Sequence, residues 1–183
     1  SYLQGHFIQS LPADIREGIA TPGMRNSHLI AIAPTGTISL LANNVSSGIE
    51  PVFEARYRRR IRQPGGEVEE HEVMDYACQL WQDSNGEGSL PPAFIDAHAL
   101  SPLSHLQMQA AVQPYVDNAI SKTINVPADY AFNDYKSLFE QAYELGLKGC
   151  TGFRPNPVTG SVLSTGADDS RGPHCCDIDR EAD

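Results

Sequence analysis

Residues 28–33 read HLIAIA, a short apolar run with β-branched members held between Asn26-Ser27 and Pro34. Such a run predicts a buried strand of the parallel type, which places the chain in the α/β class. The strand ends at Pro34, and PTGTISLLANN follows, in which Gly36 and two threonines precede an apolar stretch. That composition predicts a tight turn opening a helix. Backbone N–H groups at a helix start lack intrahelical partners, the helix dipole favours an anion there, and glycine lets backbone approach a ligand. Hydroxyls at Thr35, Thr37 and Ser39 add donors, so Pro34, Thr35, Gly36, Thr37, Ile38 and Ser39 form a candidate phosphate-binding turn. Taken alone, these six residues fit an ordinary strand-to-helix turn with threonine capping more simply.

Composition narrows what such a turn can serve. A formal net charge of -10 argues against a protein whose main work is gripping a nucleic-acid backbone, while leaving a small phosphorylated ligand open. No apolar run approaches the roughly 20 residues needed to span a bilayer, and SYLQGHFIQS lacks the regions of a signal peptide. The expectation is no membrane partner and a cytoplasmic location. Ser1 in place of a methionine raises the expectation of a segment cut from something longer. Cys78, Cys150, Cys175 and Cys176 show no zinc-ligand spacing, and the histidines show no convergent pattern, so no metal site is expected.

Along the rest of the chain, residues 10–18 predict a short helix. RYRRRIR at 56–62 predicts an extended segment with Arg56, Arg58, Arg60 and Arg62 on one face, followed by a turn at Gly65-Gly66. From Glu67 to Gln82, the spacing of Val68, Val73, Ala77, Leu80 and Trp81 predicts a helix. A further helix is expected over 103–116, limited by Pro114, and a strand over 119–126. Residues 132–147 carry the clearest helical pattern, with Tyr135, Leu138, Phe139, Ala142, Tyr143 and Leu145 on one side and Gly146 near the end. A short final strand is expected at 150–153. Beyond residue 156 Gly, Ser, Thr, Asp and Pro dominate, predicting a flexible tail over 156–183 after a domain over 1–155.

Several of these segments also fall in a familiar order. Arg25-Asn26-Ser27-His28-Leu29-Ile30, the Pro-Thr-x-Thr turn, Asn43-Asn44, Gly48-Ile49-Glu50-Pro51, Ser121-Lys122-Thr123-Ile124-Asn125 and Gly146-Leu147-Lys148-Gly149 succeed one another over roughly residues 10–156. In this order and spacing the chain resembles the C-terminal part of the ribonucleotide reductase large chain, which is far more specific than any one motif. The resemblance implies a portion of a ten-stranded α/β barrel in which the Pro-Thr turn receives the substrate's phosphates. It also implies a finger loop bearing the radical cysteine in an Asn-x-Cys-x-Glu pattern. No such pattern is present here, so no catalytic residue is assigned to this segment. An N-terminal chain or segment is expected to supply it, and this piece alone is expected to be inactive.

Class follows from what succeeds Gly146-Leu147-Lys148. The metal-cofactor class of the family carries a tyrosine pair there, whereas this chain reads Gly149-Cys150-Thr151-Gly152-Phe153-Arg154. Together with the Pro-Thr-Gly-Thr-Ile-Ser form of the loop, this looks like the adenosylcobalamin-dependent class, with the cofactor bound mainly by the missing part. The implied substrate is a ribonucleoside diphosphate and the implied reductant thioredoxin-like. Family tail thiols make Cys175 and Cys176 a candidate thiol shuttle, although adjacent cysteines form a strained disulfide, so metal scavenging and no function compete. Cys78 and Cys150 read as packing residues. Glu50 is a candidate for orienting the loop, and Lys122 is either structural or substrate-facing. A fragment of a metal-cofactor class large chain and a non-catalytic remnant or assembly module are the alternatives.

Overall fold

The computed structural model describes residues 2–62 and 66–154. In chain order its elements are α1 (His6–Ser10), α2 (Ala13–Ala20), α3 (Gly36–Leu41), β1 (Arg56–Arg62), β2 (Val68–Met74), α4 (Tyr76–Asn85), α5 (Pro102–Val112), β3 (Thr123–Asn125), α6 (Phe132–Glu144) and β4 (Thr151–Phe153). Single 3-10 turns occupy Tyr2–Gln4 and Gln113–Tyr115. The expected tail with Cys175 and Cys176 lies outside the described residues, as does Gly65 of the expected turn.

Parallel pairing centres on β3. On one side it pairs with β4, Ile124 opposite Gly152. On the other, Ile32 forms a parallel bridge to Ile120, and the carbonyls of Ile30 and Ile32 accept from Asn118 N–H at 3.1 Å and Ser121 N–H at 2.9 Å. The 28–33 segment thus pairs with residues 118–121 just before β3, and β3 with β4, parallel pairing of the kind the α/β reading expects. No closed barrel forms among the described residues.

Side-chain alternation along β3 decides what is core. Ile120, Lys122, Ile124 and Val126 are buried, and Ile124 and Val126 pack with Leu106 of α5 and with Leu138 and Ala142 of α6. A strand presents alternate residues to opposite faces, so Ser121 stays exposed. α5 starts where Ser101 Oγ accepts from Ser104 N–H at 3.1 Å, with Pro102 in its first turn. Gln109 of α5 ties the layers together, donating to the Gly149 carbonyl at 2.6 Å. α6 ends at Gly146, whose φ of 74° suits a residue without a Cβ.

Three expectations need correction. Residues 28–33 are extended but not buried: Leu29 is 59% and Ile30 50% exposed. Among the described residues this segment bridges only to Ile120, just before β3, so its apolar side chains lack the cover that such a run requires. Residues 67–82 are not one helix. Val68–Met74 pairs antiparallel with β1, setting Arg58 opposite Glu72, and cross-strand placement of opposite charges favours this hairpin. The helix begins later, where the Asp75 carboxylate accepts from Cys78 N–H at 3.1 Å. Thirdly, α6 buries Leu138 and Ala142 but leaves Tyr143 84% exposed, because its apolar side is wider than the β3 layer that covers it.

His105 of α5 is buried, and neither ring nitrogen has a hydrogen-bond partner. Burial and the neighbouring Lys122 ammonium lower its pKa; the nearby Ala97 carbonyl, out of hydrogen-bonding geometry, and Glu50 oppose them more weakly. The unfolded chain therefore takes up this proton more readily, and the contribution of neutral His105 to stability is lost as pH falls below about 6.5. The urea midpoint is expected to fall between about pH 7 and pH 5, and His105→Gln to flatten that slope; an unchanged slope would contradict the assignment. The exposed Leu29, Ile30, Ile38 and Leu41 predict that the isolated chain self-associates in sedimentation. A monodisperse monomer would overturn that expectation.

Candidate functional site

Thr35 is the pivot of the turn between the 28–33 segment and α3. It takes φ 51° and ψ 26°, a left-handed conformation uncommon for a β-branched residue, costing about 1–3 kcal/mol and persisting where surroundings enforce it. The enforcing contact is visible: Gly48 N–H donates to Thr35 Oγ1 at 2.8 Å. Gly48 itself has φ 57°, and a Cβ there would sit 2.9 Å from the Ala33 carbonyl oxygen. Only glycine lets the 47–50 strap lie this close to the turn.

The six predicted residues sit together and divide into distinct roles. Pro34 closes the extended segment and has no N–H to offer. Ser39 is turned inward: its N–H donates to the Thr35 carbonyl at 2.8 Å, and its hydroxyl donates to the Val45 carbonyl. Gly36, Thr37 and Ile38 are the first three residues of α3, so their N–H groups have no intrahelical acceptor. All three are exposed, and nothing lies within 4 Å of where a Cβ on Gly36 would project. The turn therefore offers open donors, with Thr35 and Thr37 hydroxyls beside them.

Supports reach this turn from both ends. Downstream of α3, Asn43 and Asn44 have φ of 60° and 59°; Asn44 Nδ2 donates to the Met74 carbonyl at 3.1 Å, and its Oδ1 accepts from the Tyr57 hydroxyl at 2.7 Å. The β1–β2 hairpin is thereby fastened to the end of α3. Upstream, the Asp117 carboxylate accepts from Leu29 N–H at 2.7 Å and Ile30 N–H at 2.8 Å. Partial burial pushes the Asp117 carboxyl up, but these two N–H groups, with His28 and Lys148, hold it below its ordinary value. Nothing in the sequence singled out Asp117, since its partners lie 87 and 88 positions away.

Lys122 resolves to one of its two readings. Its Nζ lies 2.8 Å from Glu50 Oε2, with the lysine side chain 1% exposed, so it is structural and does not project into solvent. Glu50 Oε1 accepts from Thr123 N–H at 2.5 Å. Among the described residues the cysteines are unactivated: burial raises both the Cys78 and Cys150 thiols above their ordinary value, the opposite of what a redox thiolate needs. Among the described residues no cluster of His, Cys, Asp or Glu would hold a metal ion. The concavities, one along α6 lined by Phe139 and Tyr143 and one beside Asn44 and Tyr76, open to solvent. No helix among the described residues is long and apolar enough to cross a membrane.

Comparison with known proteins identifies the family. The family model described as ribonucleotide reductase, barrel domain, matches residues 9–153. A vitamin B12-dependent ribonucleoside-diphosphate reductase of Thermoplasma acidophilum is 34% identical over 175 residues, covering 86% of this chain and 22% of that protein. The enzyme of that name from Mycobacterium tuberculosis is 33% identical over 162 residues, covering 78% and 23%. The chain thus spans less than a quarter of the length of these relatives. Among solved structures, the Actinobacillus ureae class Id ribonucleotide reductase alpha subunit superposes with a TM-score of 0.53 at 22% identity, over 74% of this chain and 28% of that one. A model match over most of the length, with relatives above 30% identity, shows that the chain belongs to the ribonucleotide reductase barrel-domain family.

Proposed function

We propose that this chain is the substrate-phosphate wall of an adenosylcobalamin-dependent ribonucleoside-diphosphate reductase, the C-terminal portion of its ten-stranded barrel, and that catalysis requires the remaining part. The observation that carries the reading is the open N-terminus of α3, with three free N–H groups on a turn whose pivot is held left-handed. Diphosphate oxygens would accept from Gly36, Thr37 and Ile38 N–H and from the Thr35 and Thr37 hydroxyls, while the α3 dipole adds favourable potential. Ser39 keeps the turn's shape through the Val45 carbonyl. The reaction this anchoring serves is reduction of the ribose, where fixing one end of the nucleotide holds the sugar against the reacting groups.

Relatives at 34% and 33% identity carry the cobalamin-dependent name, which supports this class over the metal-cofactor class. The radical cysteine and most of the cofactor contacts belong to the remaining part in this reading, and a thioredoxin-like protein is the reductant. Cys175 and Cys176 are retained as a thiol relay, and the cytoplasm as the compartment. The uncovered 28–33 segment supports the need for a complementing segment, since its Leu29 and Ile30 side chains are 59% and 50% exposed.

Deoxynucleotide formation with adenosylcobalamin and dithiothreitol tests this, with this chain alone, the complementing N-terminal part alone, and both mixed. Activity is expected only in the mixture. Thr35→Ala is expected to raise KM for the ribonucleoside diphosphate by about tenfold, the worth of one hydrogen bond to a charged group, and Gly36→Val to add to it. A partner equally active without this chain, or a bound but silent mixture, would favour the non-catalytic remnant or assembly module instead.

A further inference from the structure

We infer that Glu50 and Lys122 are positioning residues for substrate phosphate, acting through the 47–50 strap to keep Thr35 in the conformation that opens the α3 N–H groups. This deepens the phosphate-wall reading and rests on it. Glu50 commits both oxygens to the entry of β3, one to Nζ of Lys122 just before it at 2.8 Å and one to Thr123 N–H at 2.5 Å. Two residues before it, Gly48 commits its N–H to Thr35 Oγ1 at 2.8 Å, and the Glu50 N–H closes the turn between them on the Ser47 carbonyl at 2.9 Å. The path from Lys122 to Thr35 therefore consists of one ion pair, one tight turn and one hydrogen bond.

Chemistry and location favour a positioning role over a generic cross-link. Lys122 lies on the helix-facing side of β3 among Ile120, Ile124 and Val126, where an apolar residue would serve packing. A buried ammonium is costly without its partner, so the pair fixes where Glu50 must lie. The strap it holds touches the one strained residue of the candidate site, and Gly48 is pressed against the Ala33 carbonyl, leaving little room for the strap to slide. The stretch leading into β3 also grips the segment before the turn, through Ser121 N–H and the Ile32 carbonyl. The same stretch thus sets both flanks of the turn, one by the backbone ladder and the other by the ion pair.

The test uses the reconstituted two-part reductase and ribonucleoside diphosphate, with KM, kcat and thermal melting read for each variant. Glu50→Gln and Gly48→Ala are each expected to raise KM about tenfold, with kcat within about threefold of the parent. The double variant Glu50→Leu with Lys122→Met removes both charges of the pair, so its melting is expected to recover while its KM stays raised. If melting and KM recover together in the double variant, the pair is only a cross-link and the inference fails. A raised KM in Thr35→Ala with an unchanged KM in folded Glu50→Gln would also overturn it, leaving the phosphate-wall reading intact. An unchanged KM in Thr35→Ala would instead remove that reading, and this inference with it.

Discussion

Lys122 meets Glu50 in a place almost closed to solvent, and that contact joins the two halves of the molecule. On one side stands the β3 layer with α5 and α6, whose apolar contacts supply the core. On the other lie the 28–33 segment, the turn, α3 and the strap, a region with no buried residue at positions 28–50. Such a region cannot hold its shape by apolar burial. Its shape comes from polar fastenings: Asp117 on the Leu29 and Ile30 N–H groups, Gly48 on Thr35, Ser39 on Val45, Asn44 on Met74 and Glu50 on β3.

That division explains what the sequence disclosed. β3 and α6 were legible because their patterns reflect burial that this chain provides for itself, and the turn at Pro34 to Ser39 was legible through its threonines and Gly36. The 28–33 run was legible as a strand in character, yet its burial was not, because its cover is not supplied among the described residues. The Val68–Met74 strand was hidden because its valines also fit helical spacing. What separates the two is the register of Arg58 against Glu72, a relation between distant segments.

The candidate site divides in the same way. Donor-bearing residues of the turn can be recognised locally, since helix starts and hydroxyl side chains have local signatures. The residues that hold the turn cannot. Asp117 and Lys122 lie 87 and 72 positions from the groups they hold, and Gly48 reads as an ordinary loop glycine until the Ala33 carbonyl is seen beside it. Lys122 does carry one readable signal, a charged residue at a buried-parity position of a strand, which demands a partner wherever the strand is covered.

The most direct measurement is the structure of the reconstituted barrel with a ribonucleoside diphosphate bound. The account predicts diphosphate oxygens at about 2.9 Å from the N–H groups of Gly36, Thr37 and Ile38, with Thr35 still left-handed and its Oγ1 still on Gly48. Diphosphate held by other residues, with the start of α3 facing water or buried against protein, would contradict it.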